Sequence, residues 1–215
     1  MDGLVVWAAD VGSIKKGNFG WWRLPVDDGQ EPCEYNKDIA KFADGIAQDL
    51  SDGKPVALGF ECPLFVPVPA QSQQLLKGRH LIDGPRAWCA QAGALVLAAG
   101  LAECAWVFDQ LRKNVRRSIH PTFDPEQFMS GVCNFLVWEA FVSEAAKVYA
   151  DESIDRHVSD AKTAAEEFLR TWTSGPLPNT NGNSPFSLAA AALLRSGLTD
   201  DLTLLRQPCL VIRPK

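Results

Sequence analysis

LVVWAAD, residues 4–10, is an apolar run that ends on a carboxylate. The same pattern recurs as VALGFE at 56–61 and as FLVWE at 135–139. Continuous apolar runs of this length are typical of strands that are buried on both faces of a sheet. We therefore predict three central strands, each of which delivers an acid to its carboxyl end.

The segments around these strands predict the rest of the fold. The aromatic run FGWWRL follows a glycine-marked turn after the first strand, which indicates a hairpin. Apolar residues at helical spacing predict helices over 36–52, 86–111, 157–172 and 187–197. Hairpin strands followed by alternating strands and helices favour an α/β fold, with a mixed sheet and helices on both faces.

Less regular segments complete this prediction. Residues 30–36 suggest a short third strand behind the hairpin, and Asn36 is a plausible N-cap for the first helix. The proline-rich segment 63–85 predicts a long stretch without regular structure, and such stretches are usually functional or mobile. LRQPCLVIRP, near the C-terminal end of the sequence, predicts an edge strand.

Composition limits the class of protein. With 215 residues, of which 47% are apolar and 22% charged, we expect one globular domain over 1–215. The first residues lack the pattern of a signal peptide, so we expect a cytoplasmic protein. The apolar segment 93–108 contains Glu103 and is too short to span a bilayer, which predicts a buried helix and no membrane association. The six cysteines are far apart in the sequence, which favours reduced core thiols over zinc ligands.

The net charge of −5 bears on the partners. Lysine and arginine contacts with phosphates supply most nonspecific affinity for nucleic acid, so this charge argues against an avid, nonspecific binder. A short or structured nucleic acid or a nucleotide is still compatible with it. Apolar runs at strand edges could pair two subunits, so a homodimer is also compatible with the sequence.

The acids at the strand ends predict a metal site. Ligands of such sheets bind beyond the carboxyl ends of the parallel strands, and this places Asp10, Glu61 and Glu139 along one rim. Carboxylates that meet there repel one another unless a cation joins them, and Mg²⁺ or Mn²⁺ prefers oxygen ligands. Asp160 opens a predicted helix and is a fourth candidate. A helix N-cap is the competing account of Asp160.

The sequence resembles an uncharacterised group of bacterial predicted nucleases with a ribonuclease H-like fold. The similarity spans most of the chain and is carried by WAADVGSIKKGNFGWWRL, ALGFECPLFVPVP, RAWCAQAGALVLAAGL, LVWEAFVSEAAK, HVSDAKTAAEEF and SLAAAALLRSG. It implies a ribonuclease H-like mixed sheet, on which acids from the first strand, the fourth strand and a late helix bind two divalent ions that cleave phosphodiesters. Asp10 and Glu61 match the first two positions, Asp160 is our choice for the third, and Glu139 matches a glutamate on the fifth strand.

Two features leave alternatives open. If 187–197 is the equivalent of the catalytic late helix, Ser187 and Leu188 stand where an acid-alanine pair is expected, and the metal site is incomplete. The Asp-x-Gly-Ser hairpin at Asp10–Ser13 also occurs in actin-like sugar kinases, but these need two such domains.

Several further residues are candidates for substrate binding near the rim. The backbone amides around Ser13 could hold a phosphate or a metal-bound water, although an ordinary hairpin explains the same residues. Basic side chains in loops could meet phosphates, although such side chains are usually just solvated, and a histidine near the predicted helix start could carry a proton. These candidates are Ser13, Lys15, Lys16, Arg79, Arg86 and His157.

We therefore expect a metal-dependent nuclease in which Asp10, Glu61 and Asp160, with Glu139, carry catalysis and Mg²⁺ or Mn²⁺ is the cofactor. Two-ion hydrolysis needs no general base from the protein. One alternative is a noncatalytic module on the same fold that binds a nucleotide or phosphate. A small-molecule phosphoryl-transfer enzyme is the other.

Overall fold

A mixed seven-stranded sheet forms the centre of the protein in the computed structural model. The structure describes residues 3–26, 31–79, 82–83, 88–90, 92–142, 154–174 and 185–213. The strands of this sheet are β1 (Val5–Asp10), β2 (Gly20–Pro25), β3 (Glu34–Asn36), β4 (Val56–Phe60), β6 (Pro121–Thr122), β7 (Phe135–Ala140) and β9 (Leu210–Ile212). Two further strands, β5 (Phe65–Pro67) and β8 (Pro185–Ser187), pair with each other in a small antiparallel sheet.

The sheet order is β3-β2-β1-β4-β7, and both β6 and β9 pair with β7. The hairpin strand β2 is antiparallel to β1 and β3, while β1, β4 and β7 are parallel. The predicted hairpin, the short third strand, the three central strands and the edge strand are thus confirmed. The expectation of an irregular 63–85 is wrong at β5, because this segment finds a partner strand more than 100 residues further along the sequence.

Five helices cover the sheet in the part of the chain that the structure describes. The helix α1 begins after Asp38, whose side chain accepts a hydrogen bond from the Ala40 N–H at 2.8 Å. Asn36 is not the cap, because its side chain accepts from the backbone of Lys37 and Asp38 instead. The helices are α1 (Ile39–Ser51), α2 (Ala92–Asn114), α3 (Pro125–Met129), α4 (Arg156–Ser174) and α5 (Leu188–Ser196).

The sheet has an apolar core on each face. Alternate side chains of a strand point to opposite faces, so Val5 and Trp7 join a cluster with residues of α1, α2 and α5. Val6 and Ala8 join a second cluster, which residues of α4 complete. The α/β class, with a mixed sheet and helices on both faces, is therefore as the sequence predicts.

Helix α2 is buried on one side only. Cys104 and Phe108 lie in the core, whereas the side chains of Leu95 and Trp106 are 75% and 39% exposed. By length and composition α2 alone, among the described residues, could cross a membrane, but core helices pass the same test. The prediction of a buried helix thus holds for the inner face, and this helix occupies Ala92–Asn114.

Candidate metal centre

Asp10 and Glu61 meet because β1 and β4 lie side by side in parallel. Ala9 pairs in register with Phe60, and the Glu61 N–H donates to the Ala9 carbonyl at 2.8 Å. Asp10 and Glu61 each follow one residue beyond this pair. Side chains alternate along a strand, so both carboxylates point to the face of the sheet that α4 covers.

The N-terminal part of α4 brings Asp160 to the same place. Gly20 lies opposite Asp10 in the β1–β2 register, and a Cβ atom at Gly20 would come within 2.5 Å of the backbone of His157 and Val158. Glycine thus lets the start of α4 contact β2 directly. Asp160, one turn into the helix, is only 4% exposed.

The three acids form a cluster that could hold a metal ion. Ligand oxygens from Asp10, Glu61 and Asp160 all lie within 4.8 Å of one another. Oxygens that bind one Mg²⁺ at about 2.1 Å can be up to about 4.2 Å apart, so small side-chain rotations suffice to bind an ion. A divalent cation would relieve the repulsion between the carboxylates. The fit between the residues and a hard cation is therefore good.

The late helix that supplies the acid is α4, not α5. Ser187 is buried at the start of α5, where its hydroxyl accepts a hydrogen bond from the Ala190 N–H at 3.1 Å. Ser187 is therefore a helix cap. The cluster of acids contains Asp160 and does not depend on α5 for a ligand.

His157 contacts the cluster through Asp10. Its Nδ1 lies 2.5 Å from Asp10 Oδ2, and its backbone N–H donates to Asp155 at 3.0 Å. Asp155 is in turn paired with Lys37 at 2.6 Å, and this hydrogen bond lowers the pKa of Asp155. The backbone contact holds the start of α4 next to Asp155, while the imidazole itself contacts the Asp10 carboxylate. His157 therefore lies beside Asp10, while a role for it in substrate binding or proton transfer stays a prediction.

Glu139 does not join the three acids. It pairs in register with Phe60, one residue before Glu61, so its side chain points to the opposite face of the sheet. Both of its oxygens bind the Arg79 guanidinium, at 2.6 and 2.7 Å, and Oε2 also accepts from the Leu64 N–H at 3.0 Å. Glu139 is 1% exposed. These contacts account for Glu139 without a metal.

Arg79 is also placed differently from the expectation that it meets phosphates. It is 3% exposed, and its Nε donates to Asp83 at 2.9 Å while its other nitrogens bind Glu139. The guanidinium also lies over the Phe65 ring at 4.9 Å. Each of the three side-chain nitrogens thus contacts a protein carboxylate, and Arg79 links its own segment to Glu139 at the end of β7.

The hairpin between β1 and β2 carries three predicted substrate contacts. Ser13, Lys15 and Lys16 are all exposed in the turn that directly follows β1. The Ser13 carbonyl accepts hydrogen bonds that close this turn. The two lysines are therefore close in sequence to Asp10 and accessible, while phosphate binding by them stays a prediction. Arg86 lies outside the described residues.

Glu103 is an acid near the site that the motif analysis missed. It belongs to α2, is 8% exposed, and accepts a hydrogen bond from the Gly12 backbone. Burial, together with the smaller effect of the charge of Asp10, raises the pKa of Glu103 to about 8, against the effect of that hydrogen bond. In the sequence, the sign of Glu103 was a single acid inside the apolar helical segment 93–108.

Comparisons of the chain with protein-family models, with curated proteins and with solved structures found no match in any of the three. The class of protein that the fold and the site define is therefore an α/β protein with a three-carboxylate cluster at the carboxyl ends of two parallel strands.

Proposed function

We propose that this protein is a divalent-metal-dependent phosphodiesterase with a ribonuclease H-like fold. The observation that carries the proposal is the meeting of Asp10, Glu61 and Asp160, whose ligand oxygens lie within 4.8 Å of one another. These residues are far apart in the sequence, and capping or ion pairing within one element does not explain their convergence. The order of a hairpin strand, parallel strands and a late helix also supports this fold.

Each group of residues at the site has a separate proposed role. Asp10, Glu61 and Asp160 hold Mg²⁺ or Mn²⁺, since hard cations prefer carboxylate oxygens. A bound divalent ion supplies an activated water and stabilises charge on the phosphate oxygens. His157 positions Asp10 through the contact of Nδ1 with Oδ2. Lys15 and Lys16 offer exposed positive charge to the phosphates of the substrate.

The charge of the protein limits the substrate. The net charge of −5 and the burial of Arg79 leave little positive surface near the site to hold a long duplex. We therefore propose a short or structured nucleic acid, or a nucleotide, as the substrate class.

Mn²⁺ titration by calorimetry, together with cleavage assays on labelled oligonucleotides, tests the proposal. We expect the unmutated protein to bind Mn²⁺ and to cleave, and Asp10→Asn to lose both properties. Asp200→Asn, which changes an exposed aspartate elsewhere, is the matched control and should retain both. Absence of Mn²⁺ binding by the unmutated protein would reject the proposal. Binding of Mn²⁺ and oligonucleotide without cleavage would indicate the noncatalytic module instead.

A further inference from the structure

Four cationic side chains lie together on the surface where α2 ends. Arg112 and Lys113 belong to the last turn of α2, and Arg116 and Arg117 follow just beyond its end at Asn114. All four are exposed. In the part of the chain that the structure describes, no acid pairs with these side chains and no acceptor takes up their hydrogen-bond donors. We call these four residues the basic patch.

The backbone around the basic patch is held in place. The Arg116 N–H lies 3.3 Å from the Ser51 hydroxyl, to which it donates a hydrogen bond at the end of α1. A Cβ atom at Gly53 would lie 2.4 Å from Arg117 Nη1, so this guanidinium passes directly over the residues that follow α1. The turn after α2 is therefore fastened to the end of α1, and the cations have a defined position.

The helix dipole explains only half of the basic patch. Cations are stabilised within the last turn of a helix, which accounts for Arg112 and Lys113. Arg116 and Arg117 lie beyond that turn, and their side chains donate to no carbonyl among the described residues. The chain has 26 acidic and 21 basic residues, so acids are available for pairing. Four cations left unpaired within one short segment therefore indicate an anion that comes from a partner.

An exposed aromatic side chain lies between the basic patch and the acid cluster. Trp106 is 39% exposed, and Lys113 follows it by two turns on the same face of α2, about 10 Å along the axis. Near the other end of α2, a Cβ atom at Gly100 would lie 2.3 Å from Sγ of Cys62, the residue after Glu61. The helix thus runs about 20 Å from beside the acid cluster, past Trp106, to the basic patch.

We propose that the basic patch and Trp106 bind a single-stranded part of a nucleic-acid substrate whose scissile phosphate lies at the acid cluster. Arginine forks match the geometry of phosphate oxygens, and an exposed tryptophan stacks on a base of any identity. The inference rests on the proposed function and narrows its substrate class. A span of about 20 Å corresponds to about six nucleotides of a helical strand, so an oligonucleotide reaches both places and a free nucleotide does not.

An anionic membrane surface would also attract cations, but the composition of α2 favours nucleic acid. A helix that lies in a membrane interface carries lysine and arginine along its polar face. The segment 92–111 contains neither residue, and the cations of α2 are confined to its end. Phosphate contacts at one end and a stacking side chain further along the helix fit an extended strand.

The double variant Arg116→Gln/Arg117→Gln tests the inference without an activity assay. Fluorescence anisotropy measures its binding to a labelled single-stranded oligonucleotide in EDTA at several salt concentrations. We expect the plot of log binding constant against log salt to become less steep by about 1.4, because each phosphate contact on a single strand contributes about 0.7. Arg170→Gln/Arg206→Gln makes the same charge change at two other exposed arginines and should keep the slope.

Two further measurements separate the parts of the proposed surface. Trp106→Ala should weaken oligonucleotide binding by about fivefold or more and leave the salt slope unchanged, because stacking involves no phosphate. With Mn²⁺ present, Arg116→Gln/Arg117→Gln should raise the KM for the oligonucleotide severalfold. Hydrolysis of bis(p-nitrophenyl) phosphate, which is too small to reach the basic patch, should not change.

The outcomes distinguish this inference from the proposed function. Equal salt slopes for Arg116→Gln/Arg117→Gln and the unmutated protein, or no oligonucleotide binding in EDTA, would overturn the inference alone. Binding of the unmutated protein to phosphatidylserine vesicles in preference to the oligonucleotide would assign the basic patch to a membrane and also overturn it. Asp10→Asn should keep its oligonucleotide affinity in EDTA. The expected slopes in a protein that binds no Mn²⁺ would reject only the proposed function.

Discussion

At the scale of single residues, the contacts of Asp10 determine how its carboxylate is oriented in the acid cluster. The His157 ring contacts Asp10 Oδ2 at 2.5 Å, and the backbone N–H of His157 donates to the Asp155 carboxylate. Partners that orient a metal ligand in this way commonly contribute 10-fold to 100-fold to metal affinity. His157 is therefore a positioning residue for Asp10, a ligand of the proposed metal site.

We expect His157→Ala to weaken Mn²⁺ binding by about 10-fold to 100-fold, because the Asp10 carboxylate gains freedom to rotate. Calorimetric titration measures this change. His120→Ala, which removes an exposed histidine far along the sequence, should leave the affinity unchanged. Equal Mn²⁺ affinities for the unmutated protein and His157→Ala would show that the contact has no positioning role.

A second prediction concerns Glu139, which we expect to stabilise the fold and not to bind the metal ion. We expect Glu139→Ala to lower the free energy of unfolding by about 3–5 kcal/mol, because the buried Arg79 loses its main partner. Mn²⁺ affinity should change little, since Glu139 points away from the acid cluster. Urea unfolding and Mn²⁺ titration measure the two effects.

The triple variant Arg79→Met/Asp83→Asn/Glu139→Leu is the control for Glu139→Ala, because Arg79 also pairs with the buried Asp83. Replacement of a buried ion network by uncharged side chains leaves no buried charge unpaired and is often neutral or stabilising, so this variant should recover most of the lost stability. Loss of Mn²⁺ binding in a folded Glu139→Ala protein would restore Glu139 to the metal site.

At the scale of elements, the contact between β2 and α4 brings Asp160 to the strands. The contact depends on Gly20, since any Cβ there would meet the α4 backbone within 2.5 Å. The β1–β2 hairpin and the N-terminal turn of α4 thus form one unit around Asp10, although about 140 residues separate them in the sequence.

We expect Gly20→Ala to cost about 1–3 kcal/mol of stability, the usual range for overpacking. The same variant should weaken Mn²⁺ binding, because the start of α4 must move away from β1. Thermal unfolding and calorimetry measure these effects. Gly131→Ala is the control: its φ of 75° makes alanine unfavourable, but nothing lies within 4 Å of the added Cβ. A folded Gly20→Ala protein with unchanged Mn²⁺ affinity would contradict this role for the contact.

At the scale of the whole molecule, metal binding should be coupled to folding. The three acids come from β1, from the residue after β4 and from α4, so the cluster exists only in the folded chain. A ligand that binds only the folded state adds stability according to its concentration relative to its dissociation constant.

We expect Mn²⁺ at 100 times its dissociation constant to stabilise the protein by about 2.7 kcal/mol. For a chain of this length, that corresponds to an increase in Tm of roughly 5–10 °C. Differential scanning calorimetry measures the increase, and Asp10→Asn should not show it. An equal increase in Asp10→Asn would indicate binding elsewhere.

Stability should also depend on pH through an ion network that joins separate elements. Glu31 pairs with Lys54 at 2.6 Å and with Arg23 at 2.7 Å, and Arg23 also binds the buried Asp49. The hydrogen bond from Lys54, followed by that from Arg23, lowers the pKa of Glu31 from 4.5 to about 2. A lowered pKa means that the folded state binds the proton less tightly than the unfolded state does.

The contribution of Glu31 to the free energy of unfolding is therefore complete above pH 4.5, and it is lost as the pH falls towards about 2. We expect Glu31→Gln to be less stable than the unmutated protein at pH 7, and the difference to shrink as the pH falls through this range. Urea unfolding at several pH values measures it, and Glu126→Gln, an exposed glutamate on α3, is the control. A difference that does not vary with pH would exclude this ion network as its source.

The sequence alone determined the α/β class, because apolar runs and helical spacing are local signals. It also placed Asp10 and Glu61 at the carboxyl ends of neighbouring strands, since each acid ends a run of apolar residues. Only the tertiary structure decided between the other acids. A one-residue difference in register turns Glu139 to the opposite face, where Arg79 meets it, while the packing of α4 and α2 brings Asp160 and Glu103 towards Asp10. Register and helix packing depend on residues far apart in the chain, and no short stretch of sequence encodes them.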